Sequence, residues 1–369
     1  MKNMFDDFTW GKMLNIFPER KYDLSEYYEI LSPDFPEFIN KYLELPVMQR
    51  LKGIGLLCGT DWTALYKNRF YYSRFDHSLG VALIVWHFTH DKKQTLAGLF
   101  HDISTPLFSH VADFRKGDAL TQSATEEPNE NIIKNDRELC RLLELDGLSV
   151  EQVCNYHLYP IADNEIPRLS ADRLEYMFPS GMALEGSWTF DEISRVYSNL
   201  TILKNEDGDD ELGFRSLECA ELYAYRFCMT GHVLQLNENK LTLSLLAKIT
   251  QIAIEEDLLS ESDCMKFSEK EVMEKFEKEG SDNLKKYLRT FRNMTFVEHL
   301  EKKHEENSGE VKSEYFYVNL KVKQRYINPL VVCPDGNIQR YYDASEKGRK
   351  LLDDFLSYED SPWGAVKLI

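Results

Sequence analysis

The stretch Thr95 to Ile103 constrains the fold more than any other part of this chain. It reads as a helix that is apolar nearly all round, and it closes on Ala97-Gly98-Leu99-Phe100-His101-Asp102. A helix with no polar face is expected to be buried. It also carries a carboxylate toward the interior. A buried charge is stable only when it is paired or bound to a metal, so Asp102 requires partners from elsewhere in the sequence. Asp76 to His90 supplies a second strongly apolar helix through Leu79, Val81, Ala82, Leu83, Val85, Trp86 and Phe88.

The rest of the chain reads as helices joined by short polar turns. Helices are expected over Asp34–Leu43, Pro46–Leu57, Leu107–Phe114, Asn131–Leu145, Val150–Tyr159 and Phe190–Leu200. Ser170 is placed to cap a helix running to about Met177. Thr201–Lys204 and Leu212–Arg215 flank Glu206-Asp207-Gly208-Asp209, which predicts a β-hairpin. A long helical stretch follows from Leu217 to Leu259, broken near Gly231 and Asn237, and Lys266–Arg292 is charged and helical. His304–Ser313 reads as a mobile loop, Tyr315–Val322 as a strand, and Val331–Tyr341 as a hairpin centred on Pro334-Asp335-Gly336-Asn337. The expectation is a mainly α protein with a small C-terminal α+β extension. Its two segments, 1–185 and 186–369, are expected to pack as one unit.

Partners for Asp102 are available on two other helices. His77 lies in Arg74-Phe75-Asp76-His77-Ser78-Leu79-Gly80-Val81, and Asp172 opens Ser170-Ala171-Asp172-Arg173-Leu174-Glu175-Tyr176. Neighbours on a helix point about 100° apart, so His101 and Asp102 reach one ion only at the flank of their helix. His77 and Asp172 then close the sphere from outside. Mixed imidazole and carboxylate donors suit Mn, Fe, Ni or Zn, with Mg also possible. Such an ion, with open positions, polarises a phosphate and acidifies water.

The order His, then His-Asp, then Asp on successive helices resembles the HD-domain superfamily of metal-dependent phosphohydrolases. The flanking residues are similar to its deoxynucleoside triphosphate triphosphohydrolase, or dGTPase-like, branch. They are Leu45-Pro46-Val47-Met48-Gln49-Arg50-Leu51-Lys52, Leu99-Phe100-His101-Asp102, Phe108-Ser109-His110 and Asp172-Arg173-Leu174-Glu175-Tyr176. The resemblance runs from about residue 40 to 290 and implies an HD-domain helical bundle. It implies a divalent metal on His77, His101, Asp102 and Asp172. It also implies hydrolysis of a phosphoester or phosphoanhydride in a nucleotide-like substrate, a (deoxy)nucleoside triphosphate being one such substrate. Ser109-His110 matches the branch's catalytic-side histidine, so Asp102, His110 and Asp113 are the catalytic candidates, with Asp113 one turn on to orient the imidazole. Arg74 and Arg173 are candidates to clamp phosphate oxygens and Tyr176 to stack on the substrate.

Several positions depart from the branch. Thr105 stands where a second histidine follows, Thr121–Glu127 offers no His-Glu pair, Val47 replaces a sugar-reading Gln, and Pro179-Ser180 replaces Arg-Asp. These departures support an alternative: a catalytically weak or inactive HD protein acting as a nucleotide sensor or scaffold. Plainer readings stand beside the others as well. A lone His101 would be a core histidine, Arg74 and Arg173 would pair with some of the 62 acidic residues, and any one of the 20 tyrosines would be core. His90-Asp91 runs into Lys92-Lys93 and reads as surface chemistry. His157 reads as a helix-end residue, with a second-metal ligand as its other reading.

Composition narrows the partners. A net charge of −18 repels phosphate backbones, which argues against nucleic acid and anionic membranes and leaves a small anionic substrate with local cations. Seven cysteines show no CxxC spacing, which argues against a cysteine-ligated zinc and a disulfide framework and points to a reducing cytoplasm. Met1–Trp10 lacks the basic start and apolar stretch of a secretory signal. A homo-oligomer is compatible with all of this.

Overall fold

The computed structural model describes residues 23–121, 129–304 and 314–369. The acidic start Met1–Trp10, nearly all of Thr121–Glu127, and the expected loop after His304 lie outside the described residues. Helices dominate, and the fold is mainly α as the sequence implies.

The centre is a pair of buried helices, Arg74–Thr89 and Lys92–Phe100. Ser73 starts the first with a capping box: its hydroxyl accepts from the Asp76 amide, and the Asp76 carboxylate accepts from the Ser73 amide. His90 ends it in the left-handed conformation, and the Asp91 carboxylate then caps Lys93. His90-Asp91 is therefore a helix-to-helix junction. Gly98 lets the two helices close, since a Cβ there would stand 3.2 Å from Val81. Helix Ala171–Leu184, capped by Ser170 as expected, packs across helix 74–89. It runs seven residues past Met177 because Phe178 to Leu184 are all buried, and that burial outweighs Pro179 and Gly181.

Elsewhere the boundaries shift for physical reasons. Pro46–Leu57 is one short helix and a 3-10 turn ending at Gly53, after which Gly55 bridges to Ser73. Val150–Tyr159 is two 3-10 turns. Leu107–Phe114 shrinks to Val111–Arg115, because Phe108 and Ser109 adopt positive φ, 58° and 55°, which no helix accommodates. Lys266–Arg292 divides into Glu269–Glu279 and Asp282–Asn293. The long stretch breaks at Leu236 into Leu217–Gln235 and Asn237–Glu255.

Two small sheets complete the chain. Strands β1 (Leu200–Lys204), β2 (Asp210–Phe214), β3 (Glu298–Leu300), β4 (Tyr315–Val318), β5 (Leu330–Val332), β6 (Ile338–Arg340) and β7 (Trp363–Lys367) form the orders β1-β2-β5-β6 and β3-β7-β4. Both expected hairpins are present as β1-β2 and β5-β6. The buried apolar side chains form two clusters, and each draws residues from both sides of residue 185. Phe108 and Val111, for instance, pack with Leu245 and Ile249 of helix 237–255. Among the described residues, no helix is long and apolar enough to cross a membrane, and the seven cysteines are free thiols.

Candidate metal centre

His77 projects from the first turn of helix 74–89, and His101 and Asp102 follow the last turn of helix 92–100. Asp172 lies in the first turn of helix 171–184, where the helix dipole favours a carboxylate. These residues come together. The Nε2 atoms of His77 and His101 face each other at 3.1 Å. Asp172 Oδ1 is 3.1 Å from His77 Nε2 and 3.8 Å from His101 Nε2. Asp102 Oδ2 is 3.4 Å from His101 Nε2 and 3.8 Å from His77 Nε2.

The outward nitrogens are already committed. His101 Nδ1 donates to the Gly98 carbonyl at 2.7 Å, and His77 Nδ1 meets Glu175 Oε2 at 2.5 Å. These partners assign the protons to Nδ1 and turn both Nε2 lone pairs inward. Two inward lone pairs and two carboxylate oxygens repel one another unless a cation lies between them. Two nitrogens and two oxygens, with no thiolate, fit a divalent ion such as Mn, Fe, Ni or Zn. The titration of His77 reflects the same demand. Burial alone would lower its pKa, but hydrogen bonds to Asp172 and Glu175 and their charges raise it to about 10. Burial opposes ionisation of Asp102, yet the charge of Arg74, with His101 and His77, holds that carboxyl well below its usual range.

Asp102 is fixed by two further donors, Arg74 Nη1 at 2.8 Å and Thr105 Oγ1 at 2.8 Å. Arg74 Nε also donates to Ser109 Oγ at 3.1 Å, and Ser109 Oγ donates to the Gly55 carbonyl at 3.1 Å. That chain of bonds holds the left-handed turn at Phe108 and Ser109 and aims the next residue, His110, at the cavity. His110 Nδ1 bonds to Asp113 Oδ2 at 3.0 Å, so the Asp113 carboxylate orients the ring as its spacing suggests. Burial lowers the His110 pKa to about 4, with Arg325 and Arg74 adding to the effect and the bond to Asp113 opposing it. The ring is therefore neutral at pH 7, with Nε2 as an acceptor.

A cavity of about 1070 Å³ opens over this centre, and all the ligand candidates, His110 and Tyr176 line it. Arg74 and Arg173 reach its wall, but both are engaged internally. Arg74 holds Asp102 and Ser109. Arg173 donates to the Arg168 carbonyl at 2.8 Å and to Asn164, and pairs with Asp163 at 3.2 Å. The Tyr176 ring stands 6.4 Å from that of His77. His157 lines the cavity with its Nδ1 on Asp163 at 2.8 Å. Val47 packs, partly buried, against the core and is absent from the cavity lining.

Four contributors escaped the sequence reading. Glu175 is fully buried, orients His77, and accepts the hydroxyls of Tyr27 and Tyr72 at 3.0 and 2.5 Å. Its position one turn after Asp172 was the available signal. Arg50 donates to the carbonyls of Ile103 and Thr105, both at 2.8 Å, and fixes the turn after Asp102. Asn129 donates to the His101 carbonyl at 2.7 Å. Arg325 enters from the C-terminal region. A second His-carboxylate group, Glu238, His299 and Asp360, lies elsewhere, but both His299 nitrogens are occupied, 2.9 Å from Asp360 and 2.9 Å from Glu238. It is a clamp between elements.

Comparison with known proteins agrees with this geometry. No family model matches the chain. It is similar to the metal-dependent phosphohydrolase cns2 of Cordyceps militaris, 28% identical over 158 residues, 43% of this chain and 44% of that one. The uncharacterized protein YdhJ of Bacillus subtilis is 25% identical over 229 residues, 59% of this chain and 65% of that one. The matched part is thus under two thirds of the length of either relative. A phosphohydrolase from Bacteroides thetaiotaomicron shares the fold with a TM-score of 0.55 at 13% identity, covering 92% of this chain and 94% of that one. A hypothetical protein from Aquifex aeolicus does so with a TM-score of 0.56 at 16% identity, covering 90% and 93%.

Proposed function

We propose that this chain is a metal-dependent phosphohydrolase of the HD type, with the ion held by His77, His101, Asp102 and Asp172. The observation that carries this reading is the pair of inward Nε2 atoms 3.1 Å apart, ringed by two carboxylates and backed by Glu175. A divalent ion supplies Lewis acidity toward a phosphoryl oxygen and lowers the pKa of a water ligand. The chain's own residues do the rest. Arg74 and Thr105 keep Asp102 ionised and oriented. His110, neutral and held by Asp113, takes a proton from water at Nε2. The water oxygen bonds to phosphorus, and the P–O bond to the leaving group breaks, with its electron pair leaving on that oxygen.

The substrate we infer is a small nucleotide-like phosphoester or phosphoanhydride, with (deoxy)nucleoside triphosphates in scope. The net charge of −18 disfavours nucleic acid and anionic membranes as partners. A sensor or scaffold is the second reading, favoured by Thr105, which bonds to Asp102 at the sequence position where the branch that the motifs resemble has a second histidine. A nucleotide panel, assayed with Mn, Fe, Ni or Zn for release of phosphate, pyrophosphate and triphosphate, separates the two. Metal-dependent release from at least one substrate supports the hydrolase. Tight metal binding with no turnover across the panel replaces it with the sensor.

A further inference from the structure

The segment between β4 and β5 is a strap that contributes Val322, Lys323 and Arg325 to the cavity wall. Lys323 N donates to the Ala119 carbonyl at 3.3 Å, and Asn328 N to the Pro167 carbonyl at 2.7 Å. Gln324 Nε2 reaches Gln235 Oε1 and the Leu356 carbonyl, both at 3.2 Å. Gly231 of helix 217–235 permits this close seating, because a Cβ there would lie 2.8 Å from the Arg325 carbonyl oxygen. The strap is thus tied to four separate parts of the chain, at Ala119, Pro167, Gln235 and Leu356.

Arg325 is the strap residue aimed at the metal centre. Its guanidinium carbon stands 5.7 Å from the centre of the Tyr176 ring, and Nη2 is 3.4 Å from His110 Nε2. One guanidinium therefore bridges the proposed base and the aromatic residue beside His77. A planar fork beside a divalent-ion site suits the non-bridging oxygens of a phosphate group.

We propose that Arg325, delivered by the C-terminal strap, is the residue that binds the substrate's phosphate. This rests on the phosphohydrolase reading of the same site. Arg325 faces the His110 lone pair. A phosphate seated on the guanidinium draws it away from Nε2 and frees that lone pair to accept a proton. Phosphate binding and base readiness are then coupled through one side chain. The C-terminal region, which carries no family signature, thereby completes the site.

The test uses the full chain loaded with Mn, and calorimetry with inorganic phosphate and inorganic tripolyphosphate as probes. Arg325→Gln is expected to weaken both probes by about ten- to a hundredfold, the range for loss of one charge-assisted contact. Arg325→Met, which keeps the stem over Tyr176, is expected to weaken them equally and guards against a folding defect in the Gln variant. Arg325→Lys is expected to recover only part of the affinity, because a point charge replaces the planar fork. Mn content and melting temperature should stay at wild-type values throughout, a pattern that a purely structural role would not give. A folded, Mn-loaded Gln or Met variant that binds phosphate like wild type overturns the proposal, and so does a wild type that binds neither probe. Arg325-dependent phosphate binding without turnover supports the strap site while removing the hydrolase reading. Turnover with unchanged binding in the variants removes the strap site alone.

Discussion

His110 separates chemistry from metal binding at the scale of single residues. It touches Asp113 and Arg325 and none of the four ligand candidates. His110→Ala is therefore expected to keep the ion and the melting temperature of the loaded protein. Turnover should fall by about 10² to 10⁴, the usual loss for a general base. Metal analysis beside rate measurement checks this, and a variant that sheds its metal makes His110 a ligand. The ligand candidates were legible because four polar residues sat in apolar surroundings that could not otherwise hold them. Glu175 was not, because a glutamate on a helix ordinarily faces solvent. Only the approach of helix 74–89 makes it internal, so close that a Cβ on Gly80 would lie 2.4 Å from Glu175 Oε1. Arg325 was not legible either. Its meaning depends on contacts with His110 and Tyr176, both far away in sequence.

Local pattern predicted each element where it agreed with burial and failed where tertiary ties overrode it. Helices 74–89 and 92–100 and the β1-β2 hairpin followed from apolar runs, caps and turn residues. The stretch 107–114 did not, because the bonds among Arg74, Ser109 and Gly55 hold two residues at positive φ. The Glu238–His299–Asp360 clamp is a further non-local feature. It joins strand β3 to the start of helix 237–255, where Asp360 also accepts from the Asn237 amide at 2.6 Å. Hydrogen bonds to Asp360 and Glu238 raise the His299 pKa to about 10 against the opposing effect of burial. A folded pKa above the unfolded value of about 6.5 means stabilisation that is complete below pH 6.5 and lost as pH rises through 10. The difference in melting temperature between wild type and His299→Ala should accordingly shrink across that window. A difference that is constant from pH 6 to beyond 10 shows that His299 is not charged in the clamp.

At the scale of the whole molecule, the fold brings His77, His101, Asp102 and Asp172 beside one another and lines part of the cavity above them with a C-terminal strap. The mainly α architecture was legible because helical patterns with short polar turns run through most of the chain, and the few strand patterns are short. Assembly of the cavity was not, because it depends on contacts between segments more than 200 residues apart, such as Arg325 with His110. The raised pKa of His77 means that a proton on its Nε2 and a metal ion compete for the same place, so metal binding, proton release and folding are linked. An ion present at a thousand times its Kd adds about 4 kcal/mol of stability. The most direct measurement is elemental analysis of the full chain purified without chelator, beside Asp102→Ala. About one divalent transition metal per chain is expected for wild type, as the close group of His77, His101 and Asp102 with Asp172 beside the histidines implies, and close to none for the variant. A wild-type chain that stays metal-free after exposure to Mn, Fe, Ni and Zn would contradict the metal centre and the hydrolysis built on it.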